Sequence, residues 1–119
     1  MATIQITDLL LRTIIGTNDW ERDKPQDIVL NISIEYNATK AAQSDNIRDT
    51  VDYKSLTKKI IHTVENSRLF LLEKLGATIL EIILKTPGVK SATVRIDKPN
   101  ALRFAKSVSV TLTKAKKGK

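Results

Sequence analysis

The sequence predicts an α+β domain of order ββααββ, in which two helices cover one face of a four-stranded antiparallel sheet. Three observations carry this reading. Apolar and polar residues alternate at both ends of the chain, two stretches with helical apolar spacing lie between them, and Gly16, Pro25 and Pro87-Gly88 punctuate the pieces. At 119 residues, with 41% hydrophobic and 28% charged, the chain suits one core rather than two.

Residues 3–15 form the first expected strand, with Ile4, Ile6, Leu9, Leu11 and Ile15 in rough alternation, until Gly16-Thr17-Asn18-Asp19 breaks it with turn chemistry. From Asp27 to Tyr36 the alternation is clean: Ile28, Leu30, Ile32, Ile34 and Tyr36 share one face, Val29, Asn31, Ser33 and Glu35 the other. The connection between these strands, residues 16–26, is long for a hairpin, which marks it as a candidate functional loop. Residues 38–54 are polar and irregular, with room for one helical turn over Ala38 to Ala42. Ser55 then offers an N-cap to a helix carrying Leu56, Ile60, Ile61 and Val64. A second helix follows, striped by Leu72, Leu75, Ile79, Ile82 and Ile83, and Thr86-Pro87-Gly88 ends it. Ala92, Val94 and Ile96 mark the third strand and Val108, Val110 and Leu112 the fourth, with a loop expected from Asp97 to Phe104.

Asn31, Ser33, Thr93, Ser107, Ser109 and Thr111 give the other sheet face small neutral side chains. Such a face suits either enclosure in an oligomeric ring or barrel, or plain solvation.

The composition excludes several chemistries. Without cysteine there are no disulfides, thiolate metal sites or thiol nucleophiles, and the single His62 rules out a histidine-rich metal cluster. No run reaches the ~18 apolar residues of a membrane span, and the start MATIQITD does not read as a signal peptide, so a cytoplasmic protein is expected. The net charge of +7 owes four of its lysines to residues 114–119, which leaves +3 on residues 1–113. We expect 1–113 to be one domain and 114–119 a basic, disordered tail. With five Phe, Trp and Tyr residues, no aromatic RNA-binding motif and no GxxG loop, a nucleic-acid partner is not expected. Neither GxxxxGK[ST] nor GxGxxG occurs, so nucleotide hydrolysis and dinucleotide redox chemistry lack support.

Acid/base work must therefore fall to carboxylates, Lys or Tyr. Lys98, between Asp97 and Pro99, is either a positioned proton carrier or a loop lysine paired with Asp97. Glu73, at the start of the second helix, is either an ordinary first-turn acid or an anchor for an amidine-like N–H pair, which two carboxylate oxygens match bidentately. Tyr53 sits at a loop-to-helix junction, its ring free to orient a hydroxyl or to pack under the helix. Glu21, in Asp19-Trp20-Glu21, reads by default as a solvated acid, His62 as a surface or packing residue, and Trp20 as a pocket shield or interface anchor.

Gly16, Asp19-Trp20-Glu21, Gln26, Thr50-Val51-Asp52-Tyr53, Leu71-Leu72-Glu73-Lys74-Leu75 and Ile96-Asp97-Lys98 stand in an order that resembles the dihydroneopterin aldolase and epimerase family over nearly the whole chain. Leu11-Arg12-Thr13, Gln26-Asp27-Ile28-Val29, Val64-Glu65-Asn66, Ala101-Leu102-Arg103-Phe104-Ala105 and Ser107-Val108-Ser109 look like its dihydroneopterin triphosphate 2'-epimerase branch, whereas Asp19-Trp20-Glu21 looks more like the aldolase loop. Lys106 departs from an acid common in the epimerase pattern. The resemblance implies a tunnelling fold whose sheets join in tetrameric rings that pair into octamers, with sites at subunit interfaces, a pterin substrate and no cofactor or metal. It further implies that Glu73 holds the pterin ring, with backbone groups near Val51 and Leu72 completing the slot. Lys98 becomes the catalytic acid/base, Tyr53 a contribution from a neighbouring subunit, and Glu21 the acid near the substrate's side-chain hydroxyls. Arg103, with Lys106 and Arg12, is a candidate for holding a triphosphate, or a solvated charge.

Overall fold

The computed structural model describes residues 1–117. Its elements run β1 (Ala2–Ile15), β2 (Gln26–Tyr36), α1 (Thr39–Ser44), α2 (Tyr53–Glu65), β3 (Arg68–Leu69), α3 (Leu72–Leu84), β4 (Val89–Pro99) and β5 (Ser107–Ala115), with short 3-10 turns at Asp19–Arg22 and Ile47–Asp49. The α+β architecture follows the expectation, but the sheet has five strands in the order β3-β1-β2-β4-β5. The added strand is the two-residue β3, which pairs parallel to β1 through Ile14 with Arg68 and Ile15 with Leu69. Two residues are too few to show a period, so no sequence pattern announces it.

The uneven alternation of β1 has a local cause. Its register against β2 slips between Ile6 and Leu9, where Asp8 takes a left-handed φ of 54°. The extra residue of this bulge moves the apolar row from even to odd positions, so that Ile4 and Ile6 before it and Leu9, Leu11 and Ile15 after it face the same side. Asn31 holds the bulge on β2: its Oδ1 accepts from the Asp8 N–H at 2.9 Å, and its Nδ2 donates to Asp8 Oδ1 at 3.3 Å.

Ile28, Leu30, Ile32 and Ile34 of β2 and Ala92, Val94 and Ile96 of β4 form the buried row beneath α2 and α3. The register sets Ile34 beside Ala92, Ile32 beside Val94 and Leu30 beside Ile96. Leu56, Ile60 and Val64 of α2 and Leu75, Ile79, Leu80 and Ile83 of α3 close the core from above. Each such side chain contributes ~1.5–3 kcal/mol when fully buried. Gly76 lets α3 approach β5, since a Cβ there would lie 2.5 Å from Leu112 Cδ1. None of the described helices is long and apolar enough to cross a membrane.

Three expected boundaries shift. The N-cap of α2 is Asp52, whose carboxylate accepts from the Ser55 N–H and hydroxyl at 3.2 and 3.0 Å; Ser55 is inside the helix. β4 continues to Pro99, so Asp97 and Lys98 belong to a strand and not to a loop. β5 continues to Ala115, and the Lys116 N–H donates to the Lys90 carbonyl at 2.8 Å, so the first part of the expected tail extends the sheet. The end of that tail, residues 118–119, lies outside the described residues.

Candidate active site

The sheet's alternation places the central lysine. Continuing the inward row Ala92, Val94, Ile96 by two residues brings Lys98 to the helix-covered face, beside Val108 of β5, at the end of the sheet where the core runs out. Asp97 points to the opposite face, so the two cannot pair. Lys98 Nζ instead donates to Glu21 Oε2 in a short ion pair, both side chains being largely buried. Asp97 takes two hydrogen bonds from Arg95, at 2.8 and 3.2 Å, and one from Ser107 Oγ at 2.8 Å.

Glu21 is therefore not a solvated acid but the most enclosed carboxylate of the site, 4% exposed. The turn Asn18-Asp19-Trp20-Glu21 folds it inward: the Glu21 N–H donates to the Asn18 carbonyl at 2.9 Å, while Glu21 Oε1 accepts from the Asn18 N–H at 3.1 Å and from its Nδ2 at 2.9 Å. Gln26, the first residue of β2, donates through Nε2 to Glu21 Oε2 at 3.0 Å and to the Ile15 carbonyl at 2.9 Å. Burial by itself would raise the Glu21 carboxyl. Hydrogen bonds from Lys98, Gln26 and the Asn18 backbone, with the Lys98 charge, outweigh burial and lower it from its ordinary 4.5 to about 2. Gly16, at φ 129°, makes room: a Cβ there would lie 2.2–2.4 Å from the Glu21 carboxylate atoms.

Glu21 and Lys98 open onto a cleft of about 410 Å³ that Leu72 and Glu73 line from the start of α3, with Trp20, Phe70 and Leu71 beside them and Asn100, Ala101, Val108 and Val110 along the β5 side. Glu73 is in the first turn of α3, whose N-cap Leu71 offers no capping side chain, so a carboxylate is favoured there by the free N–H groups. The cleft thus joins five of the residues singled out from the sequence: Trp20, Glu21, Leu72, Glu73 and Lys98.

The others lie elsewhere in the chain. Val51 is buried under the start of α2 and borders a separate pocket with Tyr36, Pro87 and Gly88. That pocket adjoins the Val89 end of β4, and at ~3.3 Å per residue Lys98 is about 30 Å further along the strand. Within one chain, Val51 therefore does not complete a slot with Leu72. Tyr53 begins α2 and is 53% exposed, with its ring not packed under the helix. Arg103 is exposed beyond the cleft, its guanidinium 5.4 Å from the Phe104 ring centroid. Arg12 is engaged by Asp27 at 3.2 Å and by the Pro25 carbonyl at 3.1 Å. Lys106 borders a cavity on the open sheet face together with Asp8, Arg95 and Asp97. His62 is exposed on α2 and does not line the cleft.

The roles of Asn18 and Gln26 as holders of Glu21 escaped the sequence reading. A signal was present for the first: an N-cap residue followed three positions later by glutamate is the spacing of a capping box. Thr13 was equally unannounced; it is buried in β1 and its hydroxyl donates to the Val64 carbonyl at 2.6 Å, tying the strand to the end of α2.

A buried ammonium–carboxylate pair and a second carboxylate line one open cleft of small-molecule size, a set of groups suited to acid/base chemistry on a bound ligand. The model of the dihydroneopterin aldolase family matches residues 4–113, and the chain belongs to that family. It is similar to the dihydroneopterin triphosphate 2'-epimerase of Pseudomonas aeruginosa, 44% identical over 94% of this chain and 91% of that protein. The enzyme of the same name from Escherichia coli is 48% identical over 94% and 93%. Among solved structures, Escherichia coli dihydroneopterin aldolase in complex with neopterin superposes with a TM-score of 0.91 at 28% identity, over 97% of this chain and all of that one.

Proposed function

We propose that this chain is a dihydroneopterin triphosphate 2'-epimerase, inverting C2' of a 7,8-dihydropterin side chain by retro-aldol and aldol steps. The observation that carries the reading is the common cleft of Lys98, Glu21 and Glu73, supported by the names of the relatives at 44% and 48% identity. The Glu73 carboxylate accepts two N–H bonds from the ring's amidine-like edge, with Leu72 bordering it. Lys98, held by Glu21, moves the proton of the 2'-hydroxyl. As that proton leaves, the C1'–C2' bond breaks, its electron pair passes into the N5=C6 imine, and C2' becomes an aldehyde carbon. Re-addition through the aldehyde's other face remakes the bond with C2' inverted and returns the electron pair. Arg103, two residues beyond cleft-lining Ala101, is assigned to the phosphate end.

Tyr53 and Val51 join this site from a second copy of the chain. The distance of about 30 Å along β4 makes a site containing all these residues a shared one, so the reading includes a homo-oligomer with clefts at subunit interfaces, built as tetrameric rings that pair into octamers. A cytoplasmic setting accords with such an assembly.

The second reading is a dihydroneopterin aldolase, which releases the aldehyde and protonates C1' to give 6-hydroxymethyl-7,8-dihydropterin and glycolaldehyde. Asp19-Trp20-Glu21 favours it, as does the backbone likeness to the Escherichia coli aldolase. Chromatography of products from dihydroneopterin triphosphate and from dihydroneopterin tests the choice. The 2'-epimer of the triphosphate is expected; hydroxymethyl-dihydropterin from the free substrate, with no epimer from either, overturns the assignment in favour of the aldolase.

A further inference from the structure

Arg22 does something the cleft chemistry leaves unused. Its guanidinium donates from Nη1 to the Gly16 carbonyl at 2.9 Å and to the Leu69 carbonyl at 3.0 Å, and from Nη2 to the Arg68 carbonyl in a short hydrogen bond. The same guanidinium lies 4.0 Å above the Phe70 ring centroid. Arg68 answers in the other direction, donating from Nη2 to the Arg22 carbonyl at 2.7 Å. The Gly16 N–H adds a longer bond of 3.4 Å to the Leu69 carbonyl. Two segments some 46 residues apart in the chain are thereby stitched side by side.

These are the segments that carry the two acids of the site. Glu21 precedes Arg22 directly and packs on Gly16, while Arg68 to Phe70 lead through Leu71 into the turn of α3 that presents Glu73. The parallel pairing of β3 with β1 involves only two residues on each side, too short a ladder to fix their spacing. We infer that Arg22 is a positioning residue, a clamp that sets the distance between the Glu21–Lys98 pair and the Glu73 ring anchor. Only a planar fork with several donors spans carbonyls on both segments while stacking on an aromatic face; a lysine ammonium reaches part of that set.

The inference rests on the reading of the cleft as a pterin site, and its test separates the two. Arg22→Met keeps the apolar stem and removes every donor. Because Glu73 is anchored in α3 itself, KM for dihydroneopterin triphosphate should stay within about threefold, while kcat falls roughly ten- to a hundredfold, the loss expected from a misplacement of about 1 Å. Arg22→Lys should recover part of the loss, and Phe70→Leu, which removes the ring but no donor, should cost only a few-fold. Hydrogen exchange of Arg22→Met should quicken in residues 16–22 and 68–72 together, with the rest of the sheet unchanged. A kcat within twofold of the parent, or a kcat loss that vanishes below the variant's melting transition, overturns the clamp, as does unchanged exchange in either segment. If the unaltered protein turns over no pterin, the functional reading falls, and the exchange result alone then decides the clamp.

Discussion

Asp97 and Lys98 are adjacent on β4, each bound to an opposite charge, yet the two pairs live in different media. The Lys98 and Glu21 side chains are 13% and 5% exposed; those of Arg95 and Asp97 are 55% and 14% exposed. One residue of strand pleat separates a pair inside the helix-covered layer from a pair on the open face. On the covered side, water is scarce, the carboxylate is held by Lys98, Gln26 and Asn18, and each partner depends on the others. On the open side, more than half of the Arg95 side chain is in solvent, which screens the pair, and Asp97 keeps the Ser107 hydroxyl when Arg95 is lost. The strand's parity, more than the residue types, decides which pair lines the cleft beside Glu73.

The sharpest way to break this comparison is to neutralise one member of each pair. Lys98→Met leaves Glu21 buried without its cation, so stability should fall by about 3 kcal/mol in urea unfolding and turnover by ~10²–10⁴-fold. Adding Glu21→Gln to Lys98→Met removes the orphan charge and should restore most of the stability while turnover stays lost. If the double variant regains activity, Lys98 is not the proton carrier.

The fold was legible wherever a period had length to declare itself, and the site only in part. Ile28 to Tyr36 announced β2, and the apolar rows of α2 and α3 placed the core. The irregular spacing of Ile4, Ile6, Leu9 and Leu11 hid a bulge, because one inserted residue shifts parity without leaving a breaker. Lys98 and Glu73 stood out by chemistry and position. Glu21 did not: an acid in a polar loop reads as solvated, and its burial depends on Lys98, which lies 77 residues away. Val51 shows the limit in the other direction: the resemblance sets it beside Leu72, yet it borders a pocket at the Val89 end of β4, away from Lys98.

The second prediction sharpens the comparison through pH. The Glu21 carboxyl titrates at about 2 in the folded chain against 4.5 ordinarily. A carboxyl whose folded value is depressed stabilises the fold above its unfolded value, and that contribution disappears as pH falls through 4.5 toward 2. Thermal melts should therefore show a loss of about 1–2 kcal/mol across this window, the size allowing for the open mouth of the cleft. Glu21→Gln should remove Glu21's part of this loss and leave that of Asp49 and Asp52, whose carboxyls hydrogen bonds from Ser44 and Ser55 also hold low. Asp97→Asn, made on the other side of the same strand, should leave the whole loss in place; a profile abolished by Asp97→Asn and kept by Glu21→Gln would reverse the roles assigned to the two faces.

The smallest effect belongs to Arg95→Ala. Its pair with Asp97 has good bidentate geometry, but more than half of the Arg95 side chain is in solvent, and Asp97 keeps the Ser107 hydroxyl at 2.8 Å. Exposed pairs contribute ~0–1 kcal/mol, so the midpoint of urea unfolding should move within that range and turnover should not change. A loss well above 1 kcal/mol would show that solvent does not screen this pair and would overturn the contrast drawn between the two faces of the strand.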